Sequence, residues 1–227
     1  MSGVAASRVA AIIPAAGSGA RFGAEIPKAF FELAGLSLLT RSALALANQA
    51  EVIVVAVPQD YVAKAAQQLD SVDAEVHIVI GGATRQDSVA AALAVVPEDI
   101  EFVLVHDAAR PLIPADVTAE VVRALAAGAQ AVVPVLPVVD TIKRVDNNGD
   151  VVETVDRNSL RRVQTPQGFM RALLTRAFAD PTHVATDEAG LVEQLGVTIK
   201  TVLGSERAFK ITTPDDVALA LSLLGEA

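Results

Sequence analysis

The stretch Val9-Ala10-Ala11-Ile12-Ile13-Pro14-Ala15-Ala16-Gly17-Ser18-Gly19-Ala20-Arg21-Phe22-Gly23 decides the fold. An apolar run leads without a break into a glycine-rich loop. A short continuous apolar run bounded by turn residues reads as a strand buried on both faces. A strand that empties into glycines and an arginine is where α/β proteins place phosphate-binding loops. The glycines let backbone N–H groups approach an anion. Arg21 can grip a phosphate with two N–H groups, and Lys28, just after Pro27, can act as a point charge. The same run imitates a secretory leader, but only Arg8 precedes it and Pro14 interrupts it, so it is read as the first strand. Two better-known loops are excluded. The P-loop needs Gly-Lys followed by Ser or Thr, and the dinucleotide fingerprint needs a third glycine one residue earlier than Gly23.

Outward from this strand the pattern repeats. Apolar runs at 51–57, 76–80, 102–106, 131–136 and 197–203 predict further strands. Amphipathic, Ala-rich segments at 37–48, 59–69, 86–95 and 116–127 predict helices between them, and Thr213-Pro214-Asp215-Asp216 starts another. This alternation predicts an α/β fold, a mainly parallel twisted sheet with helices on both faces. One segment departs from it. Residues 138–155 carry more charge, and Asp146-Asn147-Asn148-Gly149-Asp150 forms a turn between two Val-containing stretches. Asn-Gly in that setting predicts a hairpin, read as an arm protruding from a single domain spanning residues 1–227; an extra antiparallel edge pair is the alternative.

Composition narrows the function. The net charge is −9, and aromatics make up 4% with no Trp, so both a cationic face and a stacking surface for nucleic acid are poorly provided for. Cysteine is absent, which removes disulfides, thiolate catalysis and Cys-ligated zinc and fits a reducing cytoplasm. With three scattered histidines, a His-based zinc site is not expected either. No stretch is long and apolar enough to span a bilayer. In so acidic a chain, clustered cations are informative.

Three more groups stand out. His106-Asp107-Ala108-Ala109-Arg110-Pro111 falls at the end of a strand, where Asp107 suits Mg²⁺ and Arg110 a second phosphate, although an isolated Asp-x-x-Arg is more readily a salt-bridged turn. Gly81-Gly82-x-x-Arg85-Gln86-Asp87-Ser88 opens a helix, with Thr84 or Asp87 as its cap; Arg85 and Gln86 are given no role. Thr141, Arg157, Thr165-Pro166-Gln167, Thr186-Asp187-Glu188 and Lys210 are individually ordinary surface or capping residues.

In this order, nearly end to end, these motifs resemble the 2-C-methyl-D-erythritol 4-phosphate cytidylyltransferases of the non-mevalonate isoprenoid pathway. The glycine loop with Arg21 and Pro27-Lys28 is shared by many nucleotidyltransferases; His106-Asp107-Ala108-Ala109-Arg110-Pro111 and the arm narrow the resemblance. It implies a Rossmann-like nucleotidyltransferase fold and a cytoplasmic enzyme that joins a cytidylyl group from CTP to a polyol phosphate, releasing pyrophosphate. It implies catalytic roles for Arg21, Lys28, Arg157 and Lys210. Ala15, Ala16, Gly17, Ser18, Gly19, Gly82, Asp87, Ser88 and Ala108 would contact CTP. Asp107, Arg110, Thr141, Thr165 and Thr186 would serve the second substrate, with Asp107 also holding Mg²⁺. It further implies a homodimer through a hairpin arm at about 138–157, with Thr141 and Arg157 beside the other chain's site.

The assignment explains why no Ser-His or Cys-His nucleophile pair is evident. The substrate's own phosphate oxygen is already ionised and needs no base, so catalysis reduces to orientation and charge stabilisation. A ribitol 5-phosphate cytidylyltransferase is the nearest rival. An NAD(P)-dependent oxidoreductase rests only on Gly17-x-Gly19, and a non-catalytic nucleotide-binding subunit would not need every expected cation.

Overall fold

A computed structural model of the 227-residue chain describes residues 7–17, 26–180, 182 and 184–225. Its centre is an eight-stranded sheet. The strands are β1 (Val9–Pro14), β4 (Val52–Val57), β5 (Glu75–Ile80), β6 (Phe102–Val105), β7 (Ala131–Pro137), β10 (Arg161–Val163), β11 (Gln167–Met170) and β12 (Lys200–Leu203). β2 (Glu32–Leu33) and β3 (Leu36–Ser37) form a separate small ribbon, and β8 (Ile142–Val145) and β9 (Val151–Val155) a second one. The helices are α1 (Leu38–Ala47), α2 (Val62–Leu69), α3 (Arg85–Leu93), α4 (Ala115–Ala126), α5 (Arg171–Phe178), α6 (Glu188–Glu193) and α7 (Pro214–Leu224).

β5, β4, β1 and β6 lie side by side and parallel, with β1 between β4 and β6. β11 runs antiparallel between β6 and β7, and β12 pairs parallel with β7. The strands were legible because β1 and β4 are buried along almost their whole length, as continuous apolar runs require. Alternate residues feed opposite cores. Ala11 and Ile13 of β1 pack with Leu39 and Leu46 of α1 and Val121 of α4, whereas Ala10 and Ile12 pack with Val89 of α3, Leu174 of α5 and Leu191 of α6. Helices therefore cover both faces, as predicted. Thr213 caps α7 in a reciprocal box with Asp216, and Thr84 caps α3 in another with Asp87.

The sequence reading did not resolve β10, β11 or α5. β10 and β11 are two lengths of one antiparallel strand against β7, interrupted at residues 164–166. From Val163↔Val135 to Gly168↔Val132, five steps on one strand answer three on the other. The surplus residues are pushed towards the C-terminal edge of β6, where Thr165 becomes useful. Among the described residues the hairpin at 142–155 pairs only with itself, in a sheet of its own.

Candidate active site

β1 carries the chain to β4 and β5 on one side, and the chain then crosses to β6 on the other. Loops leaving neighbouring strands in opposite directions open a crevice at the carboxyl ends of β1 and β6. A cavity of about 640 Å³ occupies it. It is lined by residues 14–17 at and after the end of β1, by residues 82–85 and Ser88 around the start of α3, by residues 107–109 after β6, and by Lys28 and Lys210. Lys28 starts a single 3₁₀ turn whose next residues, Ala29 and Phe30, are buried, so its backbone is anchored from below.

Asp107 is the electrostatic centre. Its Oδ1 lies 3.3 Å from Arg85 Nη2, and its Oδ2 lies 3.0 Å from Lys210 Nζ and 3.5 Å from Arg110 Nε. Burial alone would raise its pKa, but Arg85, then Lys210 and Arg110, hold the carboxyl well below its ordinary range. Arg85 also donates from Nη1 to Glu188 Oε1 at 2.6 Å. Burial opposes the Arg85 charge, yet Glu188 and Asp107 together keep its pKa above the ordinary value. Three cations thus meet two carboxylates, which leaves a locally positive floor in an acidic protein. That balance suits a polyphosphate.

The backbone of Asp107 is fixed from behind. Its N–H donates to Thr165 Oγ at 3.1 Å, and Thr165 Oγ lies 3.0 Å from Nδ1 of fully buried His106. His106 Nε2 lies 3.2 Å from the Arg110 carbonyl, which can only accept. The imidazole therefore carries its proton on Nε2, and Thr165 donates its hydroxyl proton to Nδ1. Desolvation lowers the His106 pKa to about 4, so the ring is neutral. Lys210 reaches Asp107 because the Ile211 N–H bonds the Ala109 carbonyl at 2.8 Å and the Ile211 side chain is buried. Gln164 holds the loop before it, accepting from Ser205 N and donating to the Ser205 carbonyl.

Of the residues named in the sequence reading, Ala15, Ala16, Gly17, Lys28, Gly82, Ser88, Asp107, Ala108 and Lys210 line the cavity. Ser18, Gly19 and Arg21 lie outside the described residues. Asp87 is a cap: its carboxylate accepts from Thr84 N. Ser88 Oγ accepts from Gly82 N and donates to the Thr84 carbonyl, so it shapes the Gly82 wall. Arg110 does not line the cavity; Nη1 donates to the Ala208 carbonyl at 2.7 Å. Thr165 sits behind Asp107, and exposed Thr186 stands just before α6. Thr141 and Arg157 are not brought to this cavity. Arg157 is exposed at the base of the arm and donates to the Val139 carbonyl.

Sequence reasoning missed Arg85. The available signal was its place in the first turn of a capped helix separated from Gly81-Gly82 by two residues, where a cation faces any ligand the loop admits. Among the described residues no cluster of three His, Asp or Glu could cage a metal. Asp107 alone still fits a hard divalent cation of the kind that keeps waters and takes substrate phosphates as its other ligands. With three cations already around it, such an ion would be acceptable only together with the charge of a polyphosphate.

The sequence profile of the 2-C-methyl-D-erythritol 4-phosphate cytidylyltransferases matches residues 9–226. The protein of that name from Saccharopolyspora erythraea is 52% identical over 222 residues, covering 95% of this chain and 99% of the relative. That from Rhodococcus jostii is 50% identical over 220 residues, with 96% of each covered. Among solved structures, the 2-C-methyl-D-erythritol 4-phosphate cytidylyltransferase of Thermus thermophilus superimposes with a TM-score of 0.80 at 38% identity, covering 95% of this chain and 98% of that one. The 4-diphosphocytidyl-2C-methyl-D-erythritol synthase of Anaerococcus prevotii gives 0.83 at 27% identity, with 97% and 99% covered.

Proposed function

As a member of the 2-C-methyl-D-erythritol 4-phosphate cytidylyltransferase family, this chain transfers a cytidylyl group from CTP to 2-C-methyl-D-erythritol 4-phosphate in isoprenoid precursor biosynthesis, and we propose that it does so in the Asp107 cavity. A phosphate oxygen of the polyol attacks the α-phosphorus of CTP in line. The bond to the bridging oxygen of the β-phosphate breaks, pyrophosphate leaves, and 4-diphosphocytidyl-2-C-methyl-D-erythritol forms. No general base is needed, because the attacking oxygen is already ionised.

The observation that carries this reading is that Lys28 and Lys210 line the same cavity as Asp107, with Lys210 Nζ 3.0 Å from the Asp107 carboxylate. Lys28, with Arg21 from the glycine loop, stabilises the charge that grows on the leaving pyrophosphate; losing one such donor costs about 3 kcal/mol of barrier by analogy with oxyanion holes. Gly17, Ser18 and Gly19 cradle the triphosphate. Ala15, Ala16, Gly82, Asp87, Ser88 and Ala108 bound the nucleoside. Asp107 would hold Mg²⁺, which would supply neutralisation of phosphate charge and orientation of the triphosphate. Lys210, Arg110, Thr165 and Thr186 belong to the second substrate's end of the site in this reading.

The proposal includes a homodimer of single domains, residues 1–227, joined through the arm at about 138–157. Val139, Val145, Val151 and Val152 are each more than half exposed, and a two-stranded ribbon buries too little to stand alone. Thr141 and Arg157 lie outside their own chain's cavity, which supports their service to the second copy. The location proposed is the cytoplasm.

Subunit complementation tests this arrangement. Lys28→Ala and Arg157→Ala homodimers should each be nearly inactive. In a mixed dimer one site carries both defects and the other neither, so random mixing of equal amounts should restore roughly a quarter of wild-type sites. No recovery after subunit exchange, verified by mass spectrometry, would place Lys28 and Arg157 in the same chain's site.

A further inference from the structure

Glu188 is 1% exposed, and its Oε2 has no hydrogen-bond partner among the described residues. A carboxylate in such a place is costly, and an apolar pair of the same size would spare the cost. What compensates it is Arg85, 2.6 Å away, a distance typical of a charge-assisted bond. The same guanidinium faces the cavity and touches Asp107 Oδ1 from two nitrogens, at 3.3 and 3.4 Å. The closer bond is to the buried anchor, and the longer ones are to the carboxylate at the reaction centre.

Both ends of this bridge are built in. Arg85 opens α3 directly behind the Thr84–Asp87 capping box. Glu188 opens α6, and Gln167 of β11 grips that start twice: Nε2 donates to Asp187 Oδ2 at 2.7 Å, and Oε1 accepts from Ala189 N at 3.1 Å. β11 is the strand whose interruption also delivers Thr165 to the Asp107 backbone. One segment thus controls Asp107 from two directions, its N–H through Thr165 and its carboxylate through Gln167, Glu188 and Arg85.

We propose that Arg85, anchored by Glu188, is a positioning residue that holds the Asp107 carboxylate in the orientation that receives the metal–CTP complex. Glu188 has a second role within it: by drawing the guanidinium towards itself, it stops Arg85 from closing in a two-pronged pair on Asp107 and occupying both oxygens. The inference rests on the reading of Asp107 as the metal-holding residue. A lysine cannot replace Arg85, because a point charge does not bridge two carboxylates with fixed geometry.

The experiment measures CTP binding by calorimetry without the second substrate, in Mg²⁺ and in EDTA, for the wild type, Asp107→Asn, Arg85→Lys, Glu188→Gln and the paired replacement Arg85→Met with Glu188→Met. The readout is the gain in CTP affinity that Mg²⁺ confers. Asp107→Asn should abolish the gain. Arg85→Lys and Glu188→Gln should each cut it roughly tenfold or more, as outer-shell partners of metal ligands do, in protein that is still folded at the temperature of the measurement. The paired replacement removes both charges together, so it keeps the test open where a single variant misfolds, and it should lose the gain as well. A full gain in any folded Arg85 or Glu188 variant, with Asp107→Asn defective, overturns this inference alone. A full gain in Asp107→Asn overturns the reading beneath it. Loss of folding in all three Arg85 and Glu188 variants makes the pair structural and also overturns the inference.

Discussion

His106 gives the most sharply quantified expectation. The ring is fully buried, its Nδ1 is taken by the Thr165 hydroxyl, and desolvation lowers its pKa from 6.5 to about 4. The folded state therefore refuses a proton that the unfolded chain accepts as soon as pH falls below 6.5. Because the folded pKa is depressed, stability is complete above that value and is lost as pH falls, by about 1.4 kcal/mol per pH unit. The loss should reach about 2 kcal/mol near pH 5 and level off at about 3 kcal/mol below pH 4. Urea denaturation across this range, for the wild type and for His106→Gln, isolates the effect, since the two proteins share every other ionisable group. The stability advantage of the wild type should shrink as pH falls from 6.5 towards 4. Asp107 does not confuse this window. Its pKa is also depressed in the fold, so its contribution disappears only as pH falls below the ordinary aspartate value. A difference between the two proteins that stays constant from pH 7 to pH 5 would refute the buried neutral imidazole.

Gly82→Ala should lower kcat/KM for CTP by roughly tenfold to a hundredfold, because small displacements of a binding wall are expensive. The new Cβ would stand 2.3 Å from Asp87 Cβ and 3.2 Å from its backbone carbon, so the loop itself must move; steady-state kinetics with unchanged kcat/KM would show that the wall tolerates it. Gly168→Ala should instead destabilise the fold by about 1–3 kcal/mol through overpacking. Its Cβ would meet Val121 Cγ1 at 2.5 Å and Leu125 Cδ1 at 2.9 Å, and none of these residues lines the cavity, so thermal melts should shift while KM for CTP holds.

The parallel half of the sheet was legible because both faces of β1, β4 and β6 are covered, which forces unbroken apolar runs into the sequence. β10 and β11 had no such signature. Arg161 and Arg162 are exposed, and Gly168 is a glycine because α4 passes too close for a side chain. Their strand character comes from β7, and local sequence does not encode a neighbour. The site divides in the same way. The glycine loop and Asp107 announce themselves by type and by position at strand ends. Arg85 and Glu188 are 103 residues apart in sequence, and each alone reads as a helix-opening polar residue. Only the meeting of α3 and α6 over Asp107 makes them a pair. Lys210 was legible through the family resemblance alone, since a lysine before a helix carries no signal of its own.

The arm has a consequence for how the molecule opens. Among the described residues β8 and β9 form a ladder only with each other, so no strand of the main sheet need part for them to separate. In a lone subunit their amide hydrogens should trade with solvent deuterium through local fraying, whereas those of β1 and β4 should wait for the whole domain to unfold. If a second copy covers the arm, the β8 and β9 amides should become slower as protein concentration rises, while the β1 amides change much less. Deuterium uptake in residues 142–155 is thus a gauge of subunit association that needs no substrate and no mutation.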